Sequence, residues 1–162
     1  MSETYTTMPS PVGELLLTGD DGHLTGLYMP SDRYARHAAA RPGAARRDDA
    51  AFCAVRRQLE EYFAGERSSF ALPVAPAGTP FQQDVWAELQ RIAYGTTITY
   101  AELAARIERP TAIRAAGAAN GANPVSIVIP CHRVIGSNGT LTGYGGGLEA
   151  KRFLLDLERA GA

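Results

Sequence analysis

The sequence predicts an α+β protein in which a small antiparallel sheet with one helix precedes a mainly helical half carrying a helix-turn-helix and an active-site cysteine. Three observations predict it. Three short runs rich in Thr, Leu and Tyr lie before residue 30 and are separated by turn chemistry. Apolar residues recur at helical spacing in several later stretches. Between the two patterns, residues 72–78 carry Pro73, Pro76 and Gly78, a linker composition that divides the chain into 1–78 and 79–162. With 45% hydrophobic residues, the chain has enough apolar material for a core.

Residues 5–8, 14–18 and 24–29 read as strands of a meander, joined by Pro9-Ser10-Pro11-Val12-Gly13 and Asp20-Asp21-Gly22-His23. Residues 30–47 lose the pattern to Ala, Arg, Pro and Gly and read as a loop. Asp48 or Asp49 can cap a helix that buries Phe52, Val55, Leu59, Tyr62 and Phe63 and stops at Gly65. Cys53, among Ala and Val on that helix, reads as an inert core residue. His23 and His37 have no Cys or His at ligand spacing, so no metal is expected.

After the linker, Thr79 can cap and Pro80 can occupy the first turn of a helix burying Phe81, Val85, Trp86, Leu89 and Ile92. Thr99-Tyr100-Ala101-Glu102 fits a capping box, and Tyr100, Leu103, Ala104 and Ile107 share one face of the helix so begun. Glu108-Arg109-Pro110 ends it, and a second short helix over 111–120 completes a helix-turn-helix pattern. That second helix consists of Ala112, Ala115, Ala116, Gly117, Ala118 and Ala119 around one long side chain, Arg114. A helix of this kind offers few groups to base edges, but its small side chains suit close approach to a minor groove only ~6 Å wide. The last helix places Ala150, Phe153, Leu154 and Leu157 on one stripe, with Glu158 at its edge, where the carboxylate needs a partner.

Ile127-Val128-Ile129-Pro130-Cys131-His132-Arg133-Val134-Ile135 carries the chemistry. Residues 127–129 have the β-branched density of a buried strand, and Pro130 should break or turn the ladder where Cys131 begins. Pro, Cys, His and Arg in direct succession make a poor core strand. An ordinary thiol of pKa near ~8.5 is mostly protonated at neutral pH, and His132 and Arg133 are groups that depress such a value. The spacing leaves open whether His132 meets Cys131 directly or through a water. A thiol, an imidazole and a half-buried carboxylate, Cys131, His132 and Glu158, have the parts of a relay for nucleophilic cysteine chemistry. Asn123 can brace the turn that returns the chain to Cys131, and six glycines between Gly136 and Gly147, with Tyr144 among them, leave backbone amides open to a flat ligand.

Pro130-Cys131-His132-Arg133-Val134, preceded by Asn123-Pro124 and followed by Gly143-Tyr144-Gly145-Gly146-Gly147, resembles the active-site signature of the O6-alkylguanine-DNA alkyltransferases. The resemblance covers residues 79–158 with a strong motif; the first half is similar in length and element order. It implies a ribonuclease H-like first domain and direct reversal of DNA damage. One alkyl group would pass irreversibly from O6-alkylguanine, with O4-alkylthymine as a second lesion, to Cys131. His132 would take the thiol proton through a water, Glu158 would orient His132, and Asn123 would act as a structural brace. Tyr100 would contact the flipped base as a proton donor, and Arg114 would be the finger filling the gap in the stack. Ala112, Ala115, Gly117 and Ala118 would line the minor-groove contact. Val134, Tyr144, Gly145, Lys151 and Ser126 would form the substrate pocket. Ser126 stands where some relatives have proline, and Ala116 where valine is frequent after the finger. Some relatives hold zinc in the first half, but no matching ligands stand here, and no cofactor is implied.

Two other classes use parts of the same residue set. A cysteine hydrolase would also use Cys131 and His132 but has no need of an alanine-rich helix-turn-helix; a non-catalytic lesion-binding protein would not need Cys131. The net charge of −1 excludes a uniformly basic nucleic-acid binder. The balance is nevertheless uneven: residues 1–78 hold ten acidic and eight basic side chains, 79–162 seven and eight. Arg106, Arg109, Arg114 and Arg133 face only Glu108 in that count and make a modest positive patch. Neither a signal peptide nor a membrane-spanning run is evident, so the cytoplasm is expected; the resemblance implies double-stranded DNA with alkylated bases as the partner of a monomer, bound through the minor groove, with cooperative assembly on DNA left open.

Overall fold

The computed structural model describes residues 3–30, 45–139, 144 and 147–161. Strands β1 (Glu3–Met8), β2 (Leu15–Asp20) and β3 (His23–Tyr28) form the expected antiparallel meander, with β2 between the other two. Asp21 and Gly22 take φ of 52° and 80°, the paired positive values that a two-residue hairpin turn needs. A two-residue strand, β4 (Arg46–Arg47), pairs in parallel with β1. It falls within the expected loop, because two exposed arginines carry no apolar alternation. The rest of that loop, 31–44 with His37, lies outside the described residues.

Asp48 accepts a hydrogen bond from the Ala51 amide (3.3 Å) and caps a 3₁₀ turn, Asp49–Phe52, that runs into helix α1 (Cys53–Phe63). Phe52, Val55, Leu59 and Tyr62 are buried, and Gly65 ends the unit at φ 77°. Cys53 departs from expectation: it is exposed. Its neighbour Phe52 points into the core, so the thiol, about 100° further round the helix, faces out.

Residues 72–78 are more than a connector. The Leu24 amide donates to the Pro73 carbonyl and the Ala75 amide to the Leu24 carbonyl (both 2.9 Å), which sets this segment parallel to β3. On the same edge the Leu27 amide donates to the Pro124 carbonyl (2.8 Å) and the Ser126 amide to the Leu27 carbonyl (3.3 Å). Leu24 and Leu27 are an odd number of residues apart, so in a regular strand their amides would face opposite edges. The register shift at Thr18/Gly19 lets both face outward. Gly78 then abuts the indole of Trp86: a Cβ there would lie 2.4 Å from the ring.

The second half contains helices α2 (Pro80–Leu89), α3 (Tyr100–Arg106), α4 (Ile113–Gly121) and α5 (Leu148–Gly161). Capping boxes at Thr79–Gln82 and Thr99–Glu102 start α2 and α3. Glu108 at φ 62° turns the chain after α3, and α4 packs on both α2 and α3. The Trp86 indole donates to the Ala119 carbonyl (2.8 Å), which fixes α4 to α2. Short strands β5 (Ile98–Thr99) and β6 (Val134–Ile135) pair in parallel behind the helix-turn-helix. One apolar cluster runs from Leu17 through Tyr62 and Trp86 to Leu154, so both halves share a core.

Residues 127–129 are not the strand that their β-branched density predicts. Ile127 takes φ 71°, and the stretch turns, with the Val128 amide donating to Ser126 (2.8 Å) and the Ile129 amide to Val125 (3.0 Å). An isoleucine with positive φ costs about 1–3 kcal/mol and persists only where its surroundings enforce it. Here burial of Ile127 and Ile129 and the Asn123 side chain do so.

Candidate active site

Cys131 opens a 3₁₀ turn, Cys131–Arg133, whose three side chains are all buried. The turn is held from two helices. Asn120, on α4, donates through Nδ2 to the Cys131 carbonyl (3.3 Å), and Lys151, on α5, donates through Nζ to the Val134 carbonyl (2.7 Å). Asn123 accepts from the Val125 amide (3.0 Å) and donates to the Ile129 carbonyl (2.8 Å), bridging the end of the helix-turn-helix to the cysteine segment.

Glu158 is buried to 1% exposure and gathers four donors. His132 Nε2 lies 2.7 Å from Oε2, the Tyr62 hydroxyl donates to Oε2 (2.6 Å), and Arg133 donates through Nε to Oε1 (2.8 Å) and through Nη2 to Oε2 (3.0 Å). Burial alone would raise this carboxyl, but the hydrogen bonds from His132 and Arg133, with Tyr62, outweigh it and bring the group down to about 2. Burial lowers His132 below its usual value of 6.5, against the opposing pull of Glu158. The imidazole is therefore neutral at pH 7, and an ionised Glu158 fixes its proton on Nε2. Nδ1 is left as the basic nitrogen, buried and without a hydrogen-bond partner among the described residues.

Arg133 differs from its expected role. Its third nitrogen, Nη1, donates to the Ile92 carbonyl (2.6 Å), and the guanidinium lies over the Tyr94 ring. Its charge is committed to Glu158, so it belongs neither to a surface patch nor to the thiol's free positive surroundings. Of the other three cations, Arg106 pairs with Glu88 (3.6 Å) and Arg109 lies 4.0 Å from Asp84. Arg114 is exposed on α4 with no ion pair among the described residues. Ala115 and Ala118 are exposed beside it, Ala112 and Gly117 half-buried, and Ala116 buried.

The remaining expected pocket residues converge on one corner. The Lys151 ammonium lies 5.9 Å from the centroids of both the Tyr100 and Tyr144 rings, and burial lowers its pKa. Gly117 faces Tyr100: a Cβ there would lie 3.5 Å from the ring. Burial holds the Tyr144 phenol well above its usual value, with Cys131 adding to the effect and Ser126, near the hydroxyl, opposing it. Ser126 is half-buried at the edge of the sheet, and Gly145 lies outside the described residues. Tyr62 and Asn120 were not expected here. Tyr62 fits the apolar face of its helix as any aromatic would, and Asn120 ends a helix that otherwise reads as alanine. No group of three or more His, Cys, Asp or Glu suited to a metal occurs among the described residues, and no helix there is long and apolar enough to cross a membrane.

A thiol beside an imidazole whose tautomer a carboxylate fixes, set beneath a helix-turn-helix with a small-residue face, defines a cysteine-dependent group-transfer protein of the DNA-binding kind. Comparison with known proteins agrees. Residues 80–160 match the 6-O-methylguanine DNA methyltransferase, DNA binding domain, and residues 4–76 match the ribonuclease-like domain of the same proteins. The methylated-DNA–protein-cysteine methyltransferase of Haemophilus influenzae is 49% identical over 157 residues, 96% of this chain and 86% of the relative. The constitutive enzyme of Bacillus subtilis is 43% identical over 156 residues, 96% of this chain and 94% of its own. The crystal structure of Mycobacterium tuberculosis OGT in complex with DNA has a TM-score of 0.90 at 46% identity, covering 98% of this chain and 94% of that one. The chain belongs to the 6-O-methylguanine DNA methyltransferase family.

Proposed function

We propose that this protein repairs alkylated DNA by moving the alkyl group of O6-alkylguanine onto Cys131, once per chain. DNA repair by alkyl transfer to a protein cysteine follows from the family. The assignment of steps to residues rests on one observation: the buried His132–Glu158 pair, which leaves Nδ1 as the free basic nitrogen of the residue that follows Cys131. His132 takes the thiol proton, by family resemblance through a water, and the thiolate sulfur bonds to the alkyl carbon as the carbon–oxygen bond breaks. Guanine leaves with the electron pair and is a poor leaving group as an anion, so a donor must accompany its departure. Tyr100, with its ring between Lys151 and Gly117, is the candidate donor. O4-alkylthymine offers the same alkyl–oxygen bond and is the second lesion in this reading.

The alkyl carbon lies within the base stack, so the nucleotide must be extruded first. The exposed face of α4, Arg114 with Ala115 and Ala118, supports minor-groove approach with the guanidinium replacing the extruded base. Asn123 holds the helix-turn-helix against the cysteine segment, and Asn120 and Lys151 fix the Cys131 and Val134 carbonyls, which by family resemblance face the exocyclic amine. Among the described residues no second nucleophile stands placed to cleave a thioether. Excess methylated duplex incubated with a known amount of protein should thus yield about one methyl per chain, located by mass spectrometry on the Cys131 peptide. Many transfers per chain would instead identify a hydrolase.

A further inference from the structure

The carboxylate that orients His132 is reached from the first half of the chain as well as the second. The Tyr62 hydroxyl, on α1, lies 2.6 Å from the same Oε2 atom that accepts from His132, although 96 positions separate Tyr62 from Glu158. Tyr62 is fully buried, and its ring packs edge-on against Tyr94 (6.4 Å between centroids), the residue under the Arg133 guanidinium. An aromatic ring alone would fill this space. A hydroxyl there is costly to bury unless bonded, and among the described residues its hydrogen-bond acceptor is Glu158.

We propose that Tyr62 is a positioning residue of the transfer site, which fixes the Glu158 carboxylate and draws part of its hydrogen-bonding capacity away from His132. The proposal rests on the reading of His132 as the base. An acceptor oxygen shared among several donors, here Tyr62, Arg133 and His132, binds each less strongly than it would bind one alone. Tyr62 thereby limits how far Glu158 can favour the charged imidazole and keeps His132 neutral, the form that can accept the thiol proton. The phenol is suited to this: burial first, then Glu158, raises its pKa, so it remains a donor throughout the working pH range. The other groups facing His132 are Arg133 beside it and Lys151 from α5, both of which favour its neutral form, and Glu158 itself. Cys131 precedes it in the turn, Tyr94 lies under the Arg133 guanidinium, and Tyr144 interacts with Cys131.

The test is the pH profile of single-turnover methyl transfer to Cys131 in the full chain, with methylated duplex at saturation. Tyr62→Phe should move the acid limb to higher pH and lower the plateau roughly 2- to 10-fold, the worth of one hydrogen bond. Duplex affinity should remain within twofold. A purely structural Tyr62 would lower the active fraction or the melting temperature but leave the limb where it is, and that result overturns the proposal. A fluorinated tyrosine at position 62 keeps the shape and donates more strongly, so its limb should move to lower pH. This second variant decides the matter if the phenylalanine chain does not fold, and an unmoved limb again overturns the proposal. His132→Gln separates the two readings. An undiminished rate in that variant overturns the relay and this proposal together, whereas a His132-dependent rate indifferent to Tyr62 overturns the proposal alone.

Discussion

Glu158 and Arg114 carry one charge each and answer for opposite ends of the proposed reaction. Glu158→Gln removes the charge that fixes the imidazole tautomer, and transfer should fall by about 10²-fold or more while the DNA surface is untouched. The same change strips Arg133 of its partner, and an uncompensated buried charge costs roughly 3–5 kcal/mol. Single-turnover rates should therefore be taken well below a lowered melting temperature, and a normal rate there would remove Glu158 from the relay. Arg114→Ala should reduce transfer from duplex, since part of the few kcal/mol that offsets unstacking is lost, yet leave the slow reaction with free O6-methylguanine base nearly unchanged. Equal losses on both substrates would place the damage in the pocket. The chemistry of 130–133 was legible because its residues contradict their apolar surroundings. The partners of Glu158 were not, because sequence periodicity reports which face a side chain occupies and not what its terminal atom touches across 96 positions. Cys53 shows the complementary limit: alanine neighbours mark neither the inner nor the outer face of a helix.

Helix α4 gives the core only small side chains and one asparagine, and carries the face proposed to meet DNA. Buried Ala116, Ala119 and Asn120 hold it in place, while Ala115 and Ala118 remain outside. Ala118→Leu leaves the buried face alone and suits a helix, so the fold should survive. A close-packed groove contact overfilled in this way costs about 1–3 kcal/mol, or roughly 5- to 150-fold in duplex affinity. Titration of duplex binding beside a thermal melt checks it; unaltered affinity would mean that this face does not meet the groove. Caps at Thr79 and Thr99 were legible because they are local, three residues from donor to acceptor. The turn at 127–129 was not, because nothing in Ile-Val-Ile announces a positive φ; Asn123 and the apolar burial enforce it from outside the segment.

At the scale of the whole molecule, the shared cluster at Glu158 ties stability to acidity. The carboxyl, held at about 2 in the fold, rises to an ordinary value near 4.5 on unfolding, so the unfolded chain binds the proton more readily between those values. Its contribution is present above that range and is lost as pH falls through it. His132, lowered from 6.5 by burial, acts in the same direction, because below 6.5 the unfolded chain accepts a proton that the fold resists. Melting temperature should thus decline from about pH 6.5 downward, by roughly 5–10 °C between pH 6 and pH 3 for a loss of about 2–3 kcal/mol. A melt series in matched ionic strength reads this, and a flat response would contradict the assigned charges. The α+β order was legible from patterns of strand and helix; the degree to which the halves interlock was not, since proline-rich 72–78 reads as slack. That segment and residues 124–126 occupy the outer side of β3, and β4 on the far side is two arginines long. Among the described residues the sheet consequently presents no long bare margin to another chain. On the proposed single transfer, each spent copy persists as an inert product until it is cleared, and this closed margin gives it no long strand edge through which to pair with its own kind.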